Sequence, residues 1–287
     1  MGTGLIVAAG LDEALGSGEL IVAPGVYDGL SARLAERSGF PAVYLTGYGV
    51  SASLLGQPDA GFLGLDHMAD RVRVISETVT VPIVADADTG FGDVAATVKA
   101  YEAAGAAALQ LEDQVFPKRC GHTPGRQVVP LEEAADRLKA ALDARHNPAF
   151  KVIARTDART SHGLEAAIER AQVFAELGAD ILFVESPESE SELAQIVDAL
   201  PHAKLLANMV EGGRTPYLTP DQLQDMGFAL AIYPVMGLAA AAGALNAVYE
   251  RLGGEALKDA GPMSFAELNA AVGFEEIWRE DEKAAQS

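Results

Sequence analysis

The sequence is short of cysteine and of positive charge. A single cysteine in 287 residues, Cys120, excludes an internal disulfide and suits a reducing compartment. Lys and Arg number 21 against 41 Asp and Glu, a net charge of −20, and the isoelectric point is near 4.5. A nucleic acid or an anionic membrane would be repelled by such a surface. A small anionic substrate therefore requires local Arg, local Lys or a metal ion. A basic leader is also missing: the apolar run 4–11 has no Lys or Arg before it and is followed by Asp12 and Glu13, unlike a secretory signal, so a cytoplasmic location is expected. The uncharged stretch 228–249 has the length of a membrane span. Pro234 and Gly237 divide it into a strand-like 230–233 and an Ala-rich helix over 235–252, too weakly apolar to insert.

What is present is a regular alternation. Hydrophobic residues make up 49% of the chain, enough for one large core of α/β-barrel size. Strand-like runs fall at 20–23, 42–46, 82–85, 107–111, 151–155, 181–184, 204–207 and 230–233. Amphipathic segments at 29–38, 66–78, 94–104, 131–144, 164–177 and 190–200 separate them, with Gly39, Gly105 and Gly178 as helix stops. No GxGxxG follows the first strand, and Gly16-Ser17-Gly18 is too isolated to be a phosphate loop. The pattern predicts an α/β fold of (β/α)8 TIM-barrel type rather than a doubly wound sheet. One domain is expected over 1–287, with a helical extension from about 253 whose Phe265, Leu268, Val272, Phe274, Ile277 and Trp278 are more apolar surface than a lone helix exposes. They are expected to pack on another subunit.

The chain is organised around 81–92, where a buried parallel strand ends in Asp86-Ala87-Asp88 within a glycine-flanked turn. Alternation predicts both carboxylates on one side, at the carboxyl end of the strand where ligands of parallel α/β folds collect. Two such carboxylates repel each other unless a cation lies between them, and hard oxygen donors suit Mg2+ or Mn2+. Other strand ends carry Tyr44, Thr46 and Gly47, then Glu112, Arg155, Glu185 and Asn208. Arg155 has apolar neighbours and is expected to present a fork to a carboxylate. Thr46 and the Gly47 amide are candidates for a second anionic group. The loop Lys118-Arg119-Cys120-Gly121-His122 places a thiol between cations and Gly-His, a setting that depresses a thiol pKa and suits a proton-exchanging cysteine.

Residues 85–92, Glu112-Asp113-Gln114, 118–122 and Ala154-Arg155-Thr156-Asp157 together resemble the isocitrate lyase/phosphoenolpyruvate mutase superfamily, in matching order over roughly 22–249. The resemblance implies a barrel whose eighth helix is exchanged with a neighbour, usually in a homotetramer. It implies that Asp86 and Asp88, with Asp59 and Glu112 partly through water, hold the divalent ion. The loop matches the lyase branch, with Cys120 as general acid. Tyr44, Thr46, Gly47, Gly121, His122, Arg155, Glu185 and Asn208 match substrate-binding or orienting positions, and Tyr44, His122 and Arg155 are also catalytic candidates. Thr46 departs from the serine common there.

The implied chemistry is carbon–carbon cleavage of a 2-hydroxy dicarboxylate. The hydroxyl proton leaves, the bond between carbons 2 and 3 breaks to give an α-keto acid, and the other fragment departs as an enediolate. Arg155 and His122 would stabilise that charge while Cys120 protonates the carbon. After Asn208 the sequence reads Glu211-Gly212-Gly213-Arg214 where members of the family that cleave 2-methylisocitrate typically carry Glu-Phe-Gly, so the resemblance implies substituted malates, with Gly212 or Gly213 leaving room for alkyl groups. Cleavage of 2-methylisocitrate to pyruvate and succinate is the alternative. Hydrolysis of oxaloacetate, phosphonopyruvate-type C–P chemistry and a non-catalytic oligomeric binding protein stand further off.

Overall fold

The computed structural model describes residues 3–119 and 126–252. Cys120, Gly121, His122 and the extension from 253, with its apolar residues, lie outside the described residues. Eight strands form in sequence: β1 Ile21–Val26, β2 Val43–Leu45, β3 Ile83–Asp86, β4 Ala108–Glu112, β5 Lys151–Thr156, β6 Ile181–Val184, β7 Leu206–Asn208 and β8 Leu230–Tyr233. All neighbours pair in parallel, in the order β6-β5-β4-β3-β2-β1-β8-β7. A parallel bridge between Leu182 and Leu205 joins β6 to the approach of β7. The expected TIM barrel is what the chain forms.

Eleven α-helical segments accompany the strands: α1 Thr3–Gly16, α2 Gly29–Arg37, α3 Gly47–Val50, α4 Leu65–Ser76, α5 Val94–Ala104, α6 Leu131–Ala144, α7 Ala158–His162, α8 Leu164–Leu177, α9 Glu190–Ala199, α10 Pro220–Met226 and α11 Met236–Arg251. A π-helical turn spans Ser51–Leu55. Local chemistry sets the helix ends. Asp28, Asp93, Ser189 and Thr219 each accept a bond from the amide three residues on, satisfying first-turn donors. Gly105 and Gly178 stop α5 and α8 with φ of 98° and 95°, where a side chain would be strained.

Alternation along the strands fixes the barrel interior. Ile21, Ala23, Ala42, Tyr44, Val84, Ala108, Ile153, Ile181, Phe183, Leu206, Leu230 and Ile232 pack together there, while Val43, Ile83, Ala85, Val152, Leu182 and Ala207 belong to the layer beneath the helices. The run 4–11 belongs to an unforeseen helix, α1. Its Leu11 and Leu15 join the interior cluster, and Asp12 lies 2.7 Å from Lys151 at the start of β5. α1 thus plugs the amino-terminal end of the barrel.

α11 behaves differently from the other barrel helices. It touches its own barrel mainly at β1 and leaves Leu245 50% and Tyr249 63% exposed. Among the described residues no helix is long and apolar enough to cross a membrane.

Candidate active site

The same alternation that buries Val84, Ala108, Ile153, Phe183 and Leu206 carries two residues further to Asp86, Gln110, Arg155, Glu185 and Asn208. Polar residues therefore replace apolar ones at one end of the same inward rows, the carboxyl-terminal mouth. Glu112 is one step higher on the β4 row. The cavity there is lined by Tyr44, Thr46, Tyr48, Asp59, Asp86, Arg155, Glu185 and Asn208 together with the apolar Val210, Ile232, Pro234 and Val235.

Asp86 and Asp88 do converge, but strand alternation is not the reason. β3 ends at Asp86, and Asp88 adopts φ 46° in the following turn. That left-handed conformation, tolerated by Asp, swings its carboxylate back, and its amide donates to Asp86 Oδ1 at 3.1 Å. The other Asp86 oxygen accepts from the Gly47 amide at 3.3 Å. A Cβ at Gly47 would fall 2.7 Å from Asp86 Oδ2, so only glycine admits this approach. Gly47 is thus occupied with a carboxylate of the protein, and Thr46 Oγ1 accepts from Gly49 N at 3.2 Å. The Gly47 amide is therefore not open to a second anion as the sequence suggested, whereas the Thr46 hydroxyl lines the cavity with its own proton still available to donate.

The cation among these acids is Lys118. Its ammonium is 3% exposed, bonds to Asp59 Oδ1 and lies 2.6 Å from Asp88 Oδ1. In the sequence this lysine stands two positions from the thiol, with nothing to mark it as a counter-ion for Asp59. Burial pushes the carboxyls of Asp86, Asp88 and Glu112 up, Asp88 to about 7, against the opposing pull of Lys118 or Arg155. Burial pulls Lys118 down, but Asp88, Asp59, Asp86 and Glu112 hold its ammonium well above the usual range. Among the described residues no three acidic, His or Cys side chains form a ready cage. The donor chemistry nevertheless fits a hard divalent ion. Glu112 Oε1 is buried without a hydrogen-bond partner, and Asp88 Oδ1 has the ionic contact with Lys118 but no hydrogen bond of proper geometry.

Arg155 sits opposite. Its Nε and one terminal nitrogen grip Asp157 at 2.8 and 2.9 Å. Glu112 Oε2 and Glu185 Oε2 lie 3.5 and 3.4 Å away, and the guanidinium rests 5.2 Å from the Phe183 ring centre. The fork expected for substrate is therefore held by Asp157, leaving Nη1 as the edge beside Glu112. Asn208 Nδ2 donates to Glu185 Oε2 at 3.1 Å. Tyr44 donates to Gln110 Oε1 at 3.1 Å, and Gln110 in turn reaches Asp86 Oδ1 at 3.4 Å. Burial, then Asp86, raise the Tyr44 hydroxyl well above its usual value, so it stays protonated. Gln110 was missed because one glutamine within an apolar strand gives no signal until alternation is anchored.

The expectation for Gly212 is corrected. It is exposed, with φ 70°, and a Cβ there would meet nothing within 4 Å. The residue of that loop that lines the cavity is Val210. Arg214 Nη1 lies 3.5 Å from Glu188 Oε1, and Arg155 is the one cationic residue lining the cavity among those described.

The chain is similar to known proteins along most of its length. The family model described as phosphoenolpyruvate phosphomutase matches residues 12–252. A 2,3-dimethylmalate lyase of Eubacterium barkeri is 47% identical over 277 residues, covering 94% of this chain and 95% of that one. A 2-methylisocitrate lyase of Bacillus subtilis (strain 168) is 43% identical, covering 80% and 76%. The structure of an oxaloacetate acetylhydrolase in complex with 3,3-difluorooxalacetate superposes with a TM-score of 0.92 at 38% identity, covering 98% of each chain.

Proposed function

The chain belongs to the isocitrate lyase/phosphoenolpyruvate mutase superfamily, and on that footing we propose that it is a Mg2+- or Mn2+-dependent carbon–carbon lyase that cleaves substituted malates into an α-keto acid and a second carboxylic acid. The observation that carries this reading is the pairing, in one cavity, of a buried carboxylate cluster with Arg155 and an apolar wall of Val210, Ile232, Pro234 and Val235. Asp86 and Asp88 would hold the ion, with Asp59 and Glu112 partly through water. The ion supplies polarisation of the substrate's carboxylate and hydroxyl. Arg155 Nη1 and Asn208 bind a carboxylate, with Glu185 orienting both. Tyr44, kept protonated and donating to Gln110, would present its oxygen lone pairs toward the reacting hydroxyl rather than act as base. Cys120 protonates the carbon of the departing fragment, with Gly121 and His122 beside it to meet its negative charge.

The apolar wall fits alkyl groups on carbon 3, whereas a third carboxylate there would be buried without a partner, at a cost of several kcal/mol. Malate, citramalate, dimethylmalate, 2-methylisocitrate and oxaloacetate should be compared for keto-acid or oxalate release with Mg2+. The expected result is a higher kcat/KM for substituted malates. A preference of about tenfold or more for 2-methylisocitrate, beyond the usual effect of one methylene, would replace this reading with the 2-methylisocitrate lyase one. Turnover of none would leave a binding protein.

The exposed apolar face of α11 supports a tetramer in which this helix covers a neighbouring barrel, with the extension from 253 adding to the contact. A reducing cytoplasm suits the single thiol.

A further inference from the structure

We propose that Arg126 is a positioning residue that keeps Arg155 electrostatically available to the substrate. The inference rests on the reading above, in which Arg155 receives a substrate carboxylate. Arg126 does not line the cavity. It lies behind it, fully buried against Asp157, with Nη1 donating to Asp157 Oδ1 at 2.6 Å. Arg155 grips the same carboxylate from the other side through Nε and Nη2.

Charge balance gives this sandwich its consequence. A buried aspartate held bidentately by one arginine cancels that arginine's charge, and Arg155 faces Glu112 and Glu185 besides. With Asp157 alone, three carboxylates would surround one guanidinium, and a dianionic substrate would meet a negative mouth. Arg126 shares Asp157, so two guanidiniums rather than one answer the three carboxylates, and the net charge of the set rises from −2 to −1 in a buried setting, where each charge is weakly screened. The second arm of Arg126 steadies the neighbouring pair. Its Nη2 bonds to Thr160 and, at 3.2 Å, to Ser186 Oγ, and that hydroxyl donates to Glu185 Oε1 at 3.0 Å. Glu185 is the residue that accepts from Asn208. One guanidinium behind the cavity thus sets both groups assigned to the substrate carboxylate.

The test uses the full chain with Mg2+ and two readouts: kcat and KM for whichever substituted malate the wild type cleaves, and calorimetric affinity for oxalate, a dicarboxylate that cannot be cleaved at a 2-hydroxy carbon. Arg126→Gln should raise KM and the oxalate Kd by about tenfold or more, with kcat held within about threefold, because binding is lost equally in ground and transition states. Arg126→Lys, which retains the charge, should recover most of that loss. Adding Asp157→Asn to Arg126→Gln should improve oxalate affinity over Arg126→Gln alone, since it removes the carboxylate that then neutralises Arg155. The proposal is overturned if Arg126→Gln leaves KM and oxalate affinity within about twofold of wild type. It is also overturned if Lys fails to rescue and the double variant binds more weakly still, as a purely structural clamp would require. If Arg126→Gln does not fold, the comparison of Arg126→Lys with the double variant, which carries no buried unpaired aspartate, decides in the same way. Wild type that binds oxalate yet cleaves no 2-hydroxy dicarboxylate defeats the proposed function, while the oxalate series still decides the role of Arg126.

Discussion

Asp88 and Lys118 show how one residue's conformation governs the chemistry available at the mouth. A left-handed φ of 46° turns Asp88 toward Asp86, and the ammonium of Lys118 holds the acids together where a divalent ion is proposed. Burial raises these carboxyls, so they require a cation to be charged together. Cys120, two positions after Lys118 in the chain, is the proposed acid. Cys120→Ala should lower turnover by about 10²–10⁴-fold, the span for a lost proton donor, with metal affinity by titration calorimetry unchanged. Asp157 gives the pH prediction. Burial alone would raise its carboxyl, but Arg155 and Arg126 hold it below the usual 3.8. A depressed folded value means that its stabilising contribution is complete above about pH 4 and is lost as pH falls through the folded value. Melting temperatures of the wild type should therefore fall more steeply below pH 4 than those of Asp157→Asn. That variant should start about 3–5 kcal/mol less stable at neutral pH, having taken from buried Arg126 its carboxylate and from buried Arg155 its nearest one.

At the scale of elements, the junction of β2 with α3 is the tightest part of the site. The Gly47 amide and the absent Cβ let α3 close on Asp86. Gly47→Ala should displace that carboxylate and reduce metal-dependent turnover by about 10²-fold, as misplacements near 1 Å do, with little change in the melting midpoint. α11 is the element whose environment its own barrel does not supply. Leu245→Glu, a charge in its exposed apolar face, should shift the proposed tetramer to smaller species in light scattering. A wild type that is already a monomer at micromolar concentration would refute the assembly. The carboxyl ends of the strands and the turns just after them carry the polar groups, whereas α1 seals the opposite end with Leu11 and Leu15. Chemistry and stability are thereby assigned to opposite faces of the barrel.

For the whole molecule, a net charge of −20 makes association with an anionic substrate depend on local positive potential, supplied at the mouth by Arg155 and, in the proposed function, by a divalent ion. Exhaustive chelation should abolish turnover, and Mg2+ or Mn2+ should restore it. The chelated protein should remain folded, because Lys118 already offsets part of the charge of Asp59 and Asp88. Calorimetry with and without chelator checks both halves of that expectation, and full activity after chelation would remove the metal from the mechanism.

The sequence by itself determined the barrel, because period-2 apolar runs and glycine helix stops are local properties. β6 and β8 fall on the expected residues, and α5, α6 and α8 do as well. It also determined which polar residues stand at strand ends, so Tyr44, Asp86, Arg155, Glu185 and Asn208 could be named together before any packing was known. What it could not determine were relations between residues far apart in the chain. Helix α1 is nearly uniform in its apolar character, and only the open barrel end gives Leu11 and Leu15 a place to be buried. Lys118 meets Asp59 across 59 residues, and Arg126 meets Asp157 across 31. The direction of a long cationic side chain is set by the buried charges around it, and only the closed barrel brings those charges within reach.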